Sequence, residues 1–114
     1  MKRNVKIFIL DIEECIEAIE GYMEDISKVT FFGERKIQDA VLRRLEVIGE
    51  AVKNLPLDFR EKYPNIDWKK IAGLRDVLIH AYFGVSLERI WVIVKDDLPD
   101  LKKKIKKILD DMEK

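Results

Sequence analysis

Twelve residues, GLRDVLIHAYFG from Gly73 to Gly84, gather a guanidinium (Arg75), a carboxylate (Asp76), the chain's one imidazole (His80) and a phenol (Tyr82). An imidazole with a reference pKa near 6.5 takes or gives a proton close to neutrality. An arginine fork makes two charge-assisted bonds to phosphate oxygens and stays charged throughout. These residue types suit proton transfer at a phosphate ester. On an α-helix at roughly 100° per residue, Asp76 and His80 are four apart and share a face, while Arg75 and Tyr82 are seven apart on a neighbouring stripe. Arg75 and His80 are then about 140° apart. They flank one ligand only if the long Arg reaches round or a second subunit supplies the partner group, so the spacing favours a dimeric site. The alternative is structural. A lone His on a mostly apolar helix more often serves as a hydrogen-bonded packing residue, with Asp76 and His80 a local helical pair.

The elements that must carry this cluster are helices. Phe8, Ile12, Cys15, Ile19, Tyr22 and Ile26 alternate spacings of three and four, which predicts a helix from about Lys2 to Ile26. Ser27 to Gly33 interrupts the pattern. Ile37, Val41, Leu45, Ile48, Val52 and Leu55 then repeat it in a second long helix ending near Pro56, antiparallel to the first. Gly49 beside that seam would let another backbone approach, at about 1 kcal/mol of helix propensity. Pro56, Pro64 and Asn65, with Leu57, Phe59 and Tyr63 as anchors, predict a short helix or turn over the bundle's end. Asp67 is expected to cap the motif's helix, which carries Trp68, Ile71, Leu74 and Leu78 as its buried stripe. Ser86 would cap a helix through Ile90, Trp91, Ile93, Val94 and Leu98, and Pro99 would start or kink the last one, with Leu101, Ile105, Ile108 and Met112 inward. The expected architecture is all-α: an antiparallel bundle of about five helices forming a single domain over residues 1–114.

Composition agrees with this class. The chain is 47% hydrophobic and 39% charged with only 5 Gly and 3 Pro, too few turn formers for a many-stranded sheet. The 22 basic and 22 acidic residues cancel, so any affinity for phosphates must be local. One Cys excludes an intramolecular disulfide, and with one His it leaves no zinc set of the usual spacing. Asp11, Glu13 and Glu14 interrupt the apolar start before signal-peptide or membrane-span length, so a cytoplasmic location without a membrane is expected.

An Arg, four residues, a His, one residue and a Tyr, set in GLRDVLIHAYFGV, resembles the signature of the HepT-like ribonucleases of the HEPN superfamily. QDAVLRRLEVIGEA (Gln38 to Ala51), IDWKKIAGLRD (Ile66 to Asp76) and Val92 to Leu101 with its Leu98-Pro99 resemble that family in order and spacing, so the likeness covers nearly the whole chain. The resemblance implies a homodimeric bundle whose two motifs meet in one cleft, with Arg75 and His80 catalytic. The position after the Arg is polar in the family, often Asn. Here Asp76 stands there in a supporting role, a carboxylate that would repel a phosphate unless tied to His80 or Arg75.

The implied activity is that of a toxin in a toxin–antitoxin pair, cutting RNA without a metal or cofactor. Such cutting uses the ribose 2′-hydroxyl as nucleophile and needs a base, a cation at phosphorus and an acid for the leaving oxygen. The implied partner is a minimal nucleotidyltransferase antitoxin that transfers AMP to Tyr82, placing an anionic adduct on the stripe that Arg75 shares. The lysines of the last helix read as a solvated face, Trp68 and Trp91 as core, and Glu50 as a polar contact inside the bundle or a support to the site. The rival expectation is a non-catalytic helical binding module that pairs with, or presents substrate to, the nucleotidyltransferase.

Overall fold

A computed structural model describes residues 4–74, 78 and 86–114. Helix α1 (Val5–Tyr22) starts where Asn4 Oδ1 accepts from the Lys6 amide at 2.9 Å, a cap that contributes about 1 kcal/mol. It ends earlier than the apolar spacing predicted, because the chain turns through Asp25 in the left-handed region at φ 59°. The segment expected only as a break contains a helix, α2 (Lys28–Gly33). Ser27 Oγ caps it at the Thr30 amide, and Phe31, fully buried, is its anchor; six residues are too few to show a periodic stripe.

Helix α3 (Arg35–Lys53) buries Val41, Leu45, Ile48 and Val52, as its spacing predicted, and Gly49 with them. Phe8 and Asp11 near the start of α1 share a depression with Ala51 and Asn54 at the end of α3, while Arg44 Nε donates to Tyr22 Oη at 3.3 Å, so the two helices run antiparallel. The buried face of α1 is broader than the predicted stripe. Ile9 and Ile16 are as buried as Ile12 and Ile19 because the helix packs on two partners, α3 and the last helix, α7 (Leu98–Glu113). Lys6–Glu113 at 3.0 Å, Glu13–Lys106 at 3.5 Å and Glu20–Lys102 at 2.8 Å form successive ion pairs along α1 and α7, and their order makes that packing antiparallel too.

The predicted connector holds α4 (Leu57–Glu61) at its centre; Phe59 is buried and Tyr63 half-buried as expected, but Leu57, expected as an anchor, is 64% exposed at the first position of α4. Trp68 Nε1 donates to the carbonyls of Arg60 and Tyr63, both at 3.1 Å, and Phe59 packs between the Tyr63 and Trp68 rings. Trp68 opens α5 (Trp68–Ala72), where Asp67 Oδ1 accepts from the Lys70 amide at 3.1 Å as the expected cap. Helix α6 (Leu87–Val92) continues through a π-helical turn (Ile93–Asp97) straight into α7. Pro99 has no amide to give to the Lys95 carbonyl, and its ring crowds that oxygen. A wider turn holding Lys95 accommodates both effects, so the chain passes the proline without stopping. Leu98, Leu101, Ile105 and Ile108 of α7 close the core, which is all-α among the described residues. No described helix is long and apolar enough to cross a membrane.

Candidate active site

Arg75, Asp76, His80 and Tyr82 lie outside the described residues. The motif's flanks are described on both sides. On the upstream side, Asp67 and Trp68 fix the start of α5, three residues short of Arg75 at its end. Leu74 and Leu78, on either side of Arg75 and Asp76 in sequence, are both buried in the core with Trp68, while Ile71 is half-buried, so the predicted apolar stripe packs inward. A Cβ on Gly73 would stand 3.3 Å from the Lys69 carbonyl, tighter than ordinary contact, which suits glycine where α5 ends.

On the downstream side Ser86 occupies the N-cap position of α6 with extended backbone, but its side chain makes no capping bond; its carbonyl instead receives the Arg89 and Ile90 amides. Two contacts hold α6 to α2: Lys28 Nζ pairs with Glu88 at 2.5 Å, and Phe31 packs on Trp91 with ring centroids 5.8 Å apart. Lys95 Nζ sits 4.8 Å from the Trp91 ring centroid. With Phe31 and Lys95 both at its ring, Trp91 is a packing residue, and Trp68 is buried, as read from the sequence.

Between α5 and the α6–π–α7 arm opens a cleft of about 400 Å³. Ile71 and Leu74 wall one side and Val92 and Ile93 the other, with Lys70, Arg89 and Lys104 among its charged groups. Most of that charge is engaged locally. Lys70 Nζ lies 3.9 Å from Asp97, and Lys104 Nζ pairs with Asp100 at 2.9 Å and donates to the Asn65 carbonyl at 2.8 Å. Sequence reasoning missed this cleft, because its walls come from helices some twenty residues apart whose apolar positions all read simply as core.

The lysine face of the last helix is less free than its sequence suggested. Lys102, Lys104 and Lys106 are all paired with carboxylates, and the Glu20 carboxylate holds the Lys102 ammonium above its ordinary pKa. Glu50 is exposed on α3 and lines the second depression, about 390 Å³, with Asp11, Arg43 and Glu46. It is therefore not inside the bundle. Two shifted groups belong to the scaffold. Burial pushes the Cys15 thiol up against the lowering effect of Arg44, whose Nη1 is 3.9 Å from the sulfur. Burial, with Asp111 nearby, raises the Tyr63 phenol.

Comparison with known proteins adds what the flanks alone do not. The sequence model of the family described as "Ribonuclease HepT-like" matches residues 12–108. "Probable ribonuclease HepT" of Thermococcus cleftensis is 48% identical over 108 residues, 95% of this chain and 98% of that protein. A "Putative RNase" of Methanocaldococcus jannaschii is 46% identical over 112 residues, covering 98% of this chain and 97% of its own. A longer protein of the same organism, "Gamma-glutamylcyclotransferase and putative RNase", is 51% identical across all 114 residues, and this chain spans about half of its length. No solved structure matches.

Proposed function

The chain belongs to the HepT-like ribonuclease family, and from that premise we propose that it is an endoribonuclease that works without a metal, as the toxin of a toxin–antitoxin pair. The observation that carries this reading is the family match over residues 12–108, which spans the whole of Arg75 to Tyr82. Acting as one cytoplasmic domain over residues 1–114, two copies bring their motifs into one cleft. There His80 takes the proton of a ribose 2′-hydroxyl as its oxygen attacks the adjacent phosphorus. Arg75 stabilises the charge that builds on the phosphoryl oxygens, and the bond to the 5′-oxygen breaks. The imidazole of the second copy supplies the proton that the leaving oxygen takes up. The products are a 2′,3′-cyclic phosphate and a 5′-hydroxyl. Asp76 orients His80 or Arg75, which removes its own charge from the path of the phosphate.

Tyr82 is the control point of this reading. A nucleotidyltransferase antitoxin moves AMP from ATP to the phenolic oxygen, releasing pyrophosphate, and the anionic adduct takes the place of RNA at Arg75. The experiment that tests the cutting step uses an RNA oligonucleotide carrying one 2′-deoxy sugar at a mapped cleavage position. Loss of cutting at that bond alone, with neighbouring bonds still cut, is the expected result. Cutting through the 2′-deoxy position refutes the nucleophile. Sedimentation at micromolar concentration tests the shared site, and a stable monomer that still cuts RNA overturns it.

A further inference from the structure

The cleft between α5 and the α6–π–α7 arm is lined by two polar side chains, Asn65 and Arg89, that no other described side chain engages. Lys70, Lys104, Asp67, Asp97 and Asp100 are all committed to partners within the protein. The Arg89 guanidinium and the Asn65 side-chain amide have no hydrogen bond or ion pair among the described residues. The same cleft has apolar lining, of which Val92 is 42% exposed.

We propose that this cleft is a base-binding subsite for single-stranded RNA, holding the nucleotide next to the bond that is cut; the assignment rests on the ribonuclease reading above. Its volume of about 400 Å³ lies in the range of pockets that take small molecules. A base splayed out of a single strand has two apolar faces and an edge of alternating donors and acceptors. Ile71, Leu74 and Val92 meet the faces, the Asn65 amide can both donate to and accept from the edge, and Arg89 meets the phosphate. An apolar segment of another protein would desolvate Arg89 and Asn65 without replacing their bonds to water. The location is also right. Leu74 of the cleft wall directly precedes Arg75, and consecutive Cα atoms are only about 3.8 Å apart.

The test uses AMP, GMP, CMP and UMP titrated separately into full-length protein, read by the NMR shifts of the Val92 and Ile93 methyl groups, alongside base preferences in cleaved random-sequence RNA. One or two of the nucleotides should shift these methyls saturably. Arg89→Gln should weaken that binding about tenfold, the loss of one charge-assisted bond. Asn65→Ala should flatten discrimination among bases, and Val92→Trp, which fills the cleft from its exposed rim, should abolish the shift at the Ile93 methyls, the reporter it retains, with the helical circular dichroism unchanged. Asn65→Ala and Val92→Trp should also lose the base preference beside the cut. Cutting by the parent with no methyl shift from any nucleotide, or a preference unchanged in Val92→Trp, overturns the subsite while leaving the ribonuclease reading intact. Saturable shifts in a protein that cuts no RNA overturn the ribonuclease reading and keep the cleft as a nucleotide site. A change of oligomeric state in Val92→Trp assigns the cleft to a second copy of the chain and overturns the proposal.

Discussion

Replacing Trp68 by Phe isolates the contact that fixes the start of α5, the helix leading toward Arg75. The side chain is only 6% exposed, and its Nε1 hydrogen supplies the Arg60 and Tyr63 carbonyls at 3.1 Å each. Phe keeps one ring against Phe59 but removes the donor and part of the volume. Part-buried carbonyls left without it cost about 1–3 kcal/mol, and the small void adds about 1 kcal/mol, so about 2–4 kcal/mol in all is expected. An unfolding entropy of about 2.1 cal/mol/K per residue over 114 residues gives roughly 0.24 kcal/mol per degree. The midpoint should therefore fall by roughly 8–17 °C in thermal unfolding followed by far-ultraviolet circular dichroism. A fall under about 2 °C would refute the claim that this indole pins the connector to α5, and with it the idea that α5 is held rigidly from its first residue.

Other perturbations follow from the same structure. Ile48→Ala, at a fully buried position of α3, should cost about 2–5 kcal/mol, read as a lower urea midpoint with unchanged slope. The Cys15 thiol is raised above its ordinary value, so its contribution to stability is complete below the unfolded thiol's pKa of about 8.5 and is lost as pH rises through the folded value. Urea midpoints measured upward from that pH should fall more steeply in the parent than in Cys15→Ala. With the antitoxin and ATP, the protein should gain the mass of AMP and lose cutting, while Tyr82→Phe should gain none and stay active. A modified protein of full activity would return Tyr82 to an ordinary packed aromatic.

What was legible in the sequence depended on length and on who packs against whom. The eighteen or so residues of α1, α3 and α7 each repeat an apolar spacing often enough to declare a buried face, and Val41, Leu45, Ile48 and Val52 pack as that spacing required. The cap at Asp67 and the burial of Trp68 were equally readable, because a carboxylate before a helix and a tryptophan on its apolar stripe have few other uses, whereas the indole's bonds to the connector carbonyls were not. Helix α2 was not, since a single buried Phe31 sets no period. The π turn was hidden as well: Pro99 announced a disturbance, but whether the chain breaks, kinks or widens there depends on packing that no local residue encodes. Of the site, the sequence supplied the chemistry of Arg75, Asp76, His80 and Tyr82, and the structure supplied the surroundings. Asn65 and Arg89, unpaired among the described residues, emerge as one group only when α5 and α6 are brought to one cleft.

The most direct test of the central claim is incubation of the purified protein with mixed RNAs in excess EDTA, beside His80→Ala. The parent should yield fragments ending in 2′,3′-cyclic phosphate and His80→Ala none, with a helical circular dichroism that matches the parent's. Intact RNA with the parent, or equal cutting by His80→Ala, would contradict it.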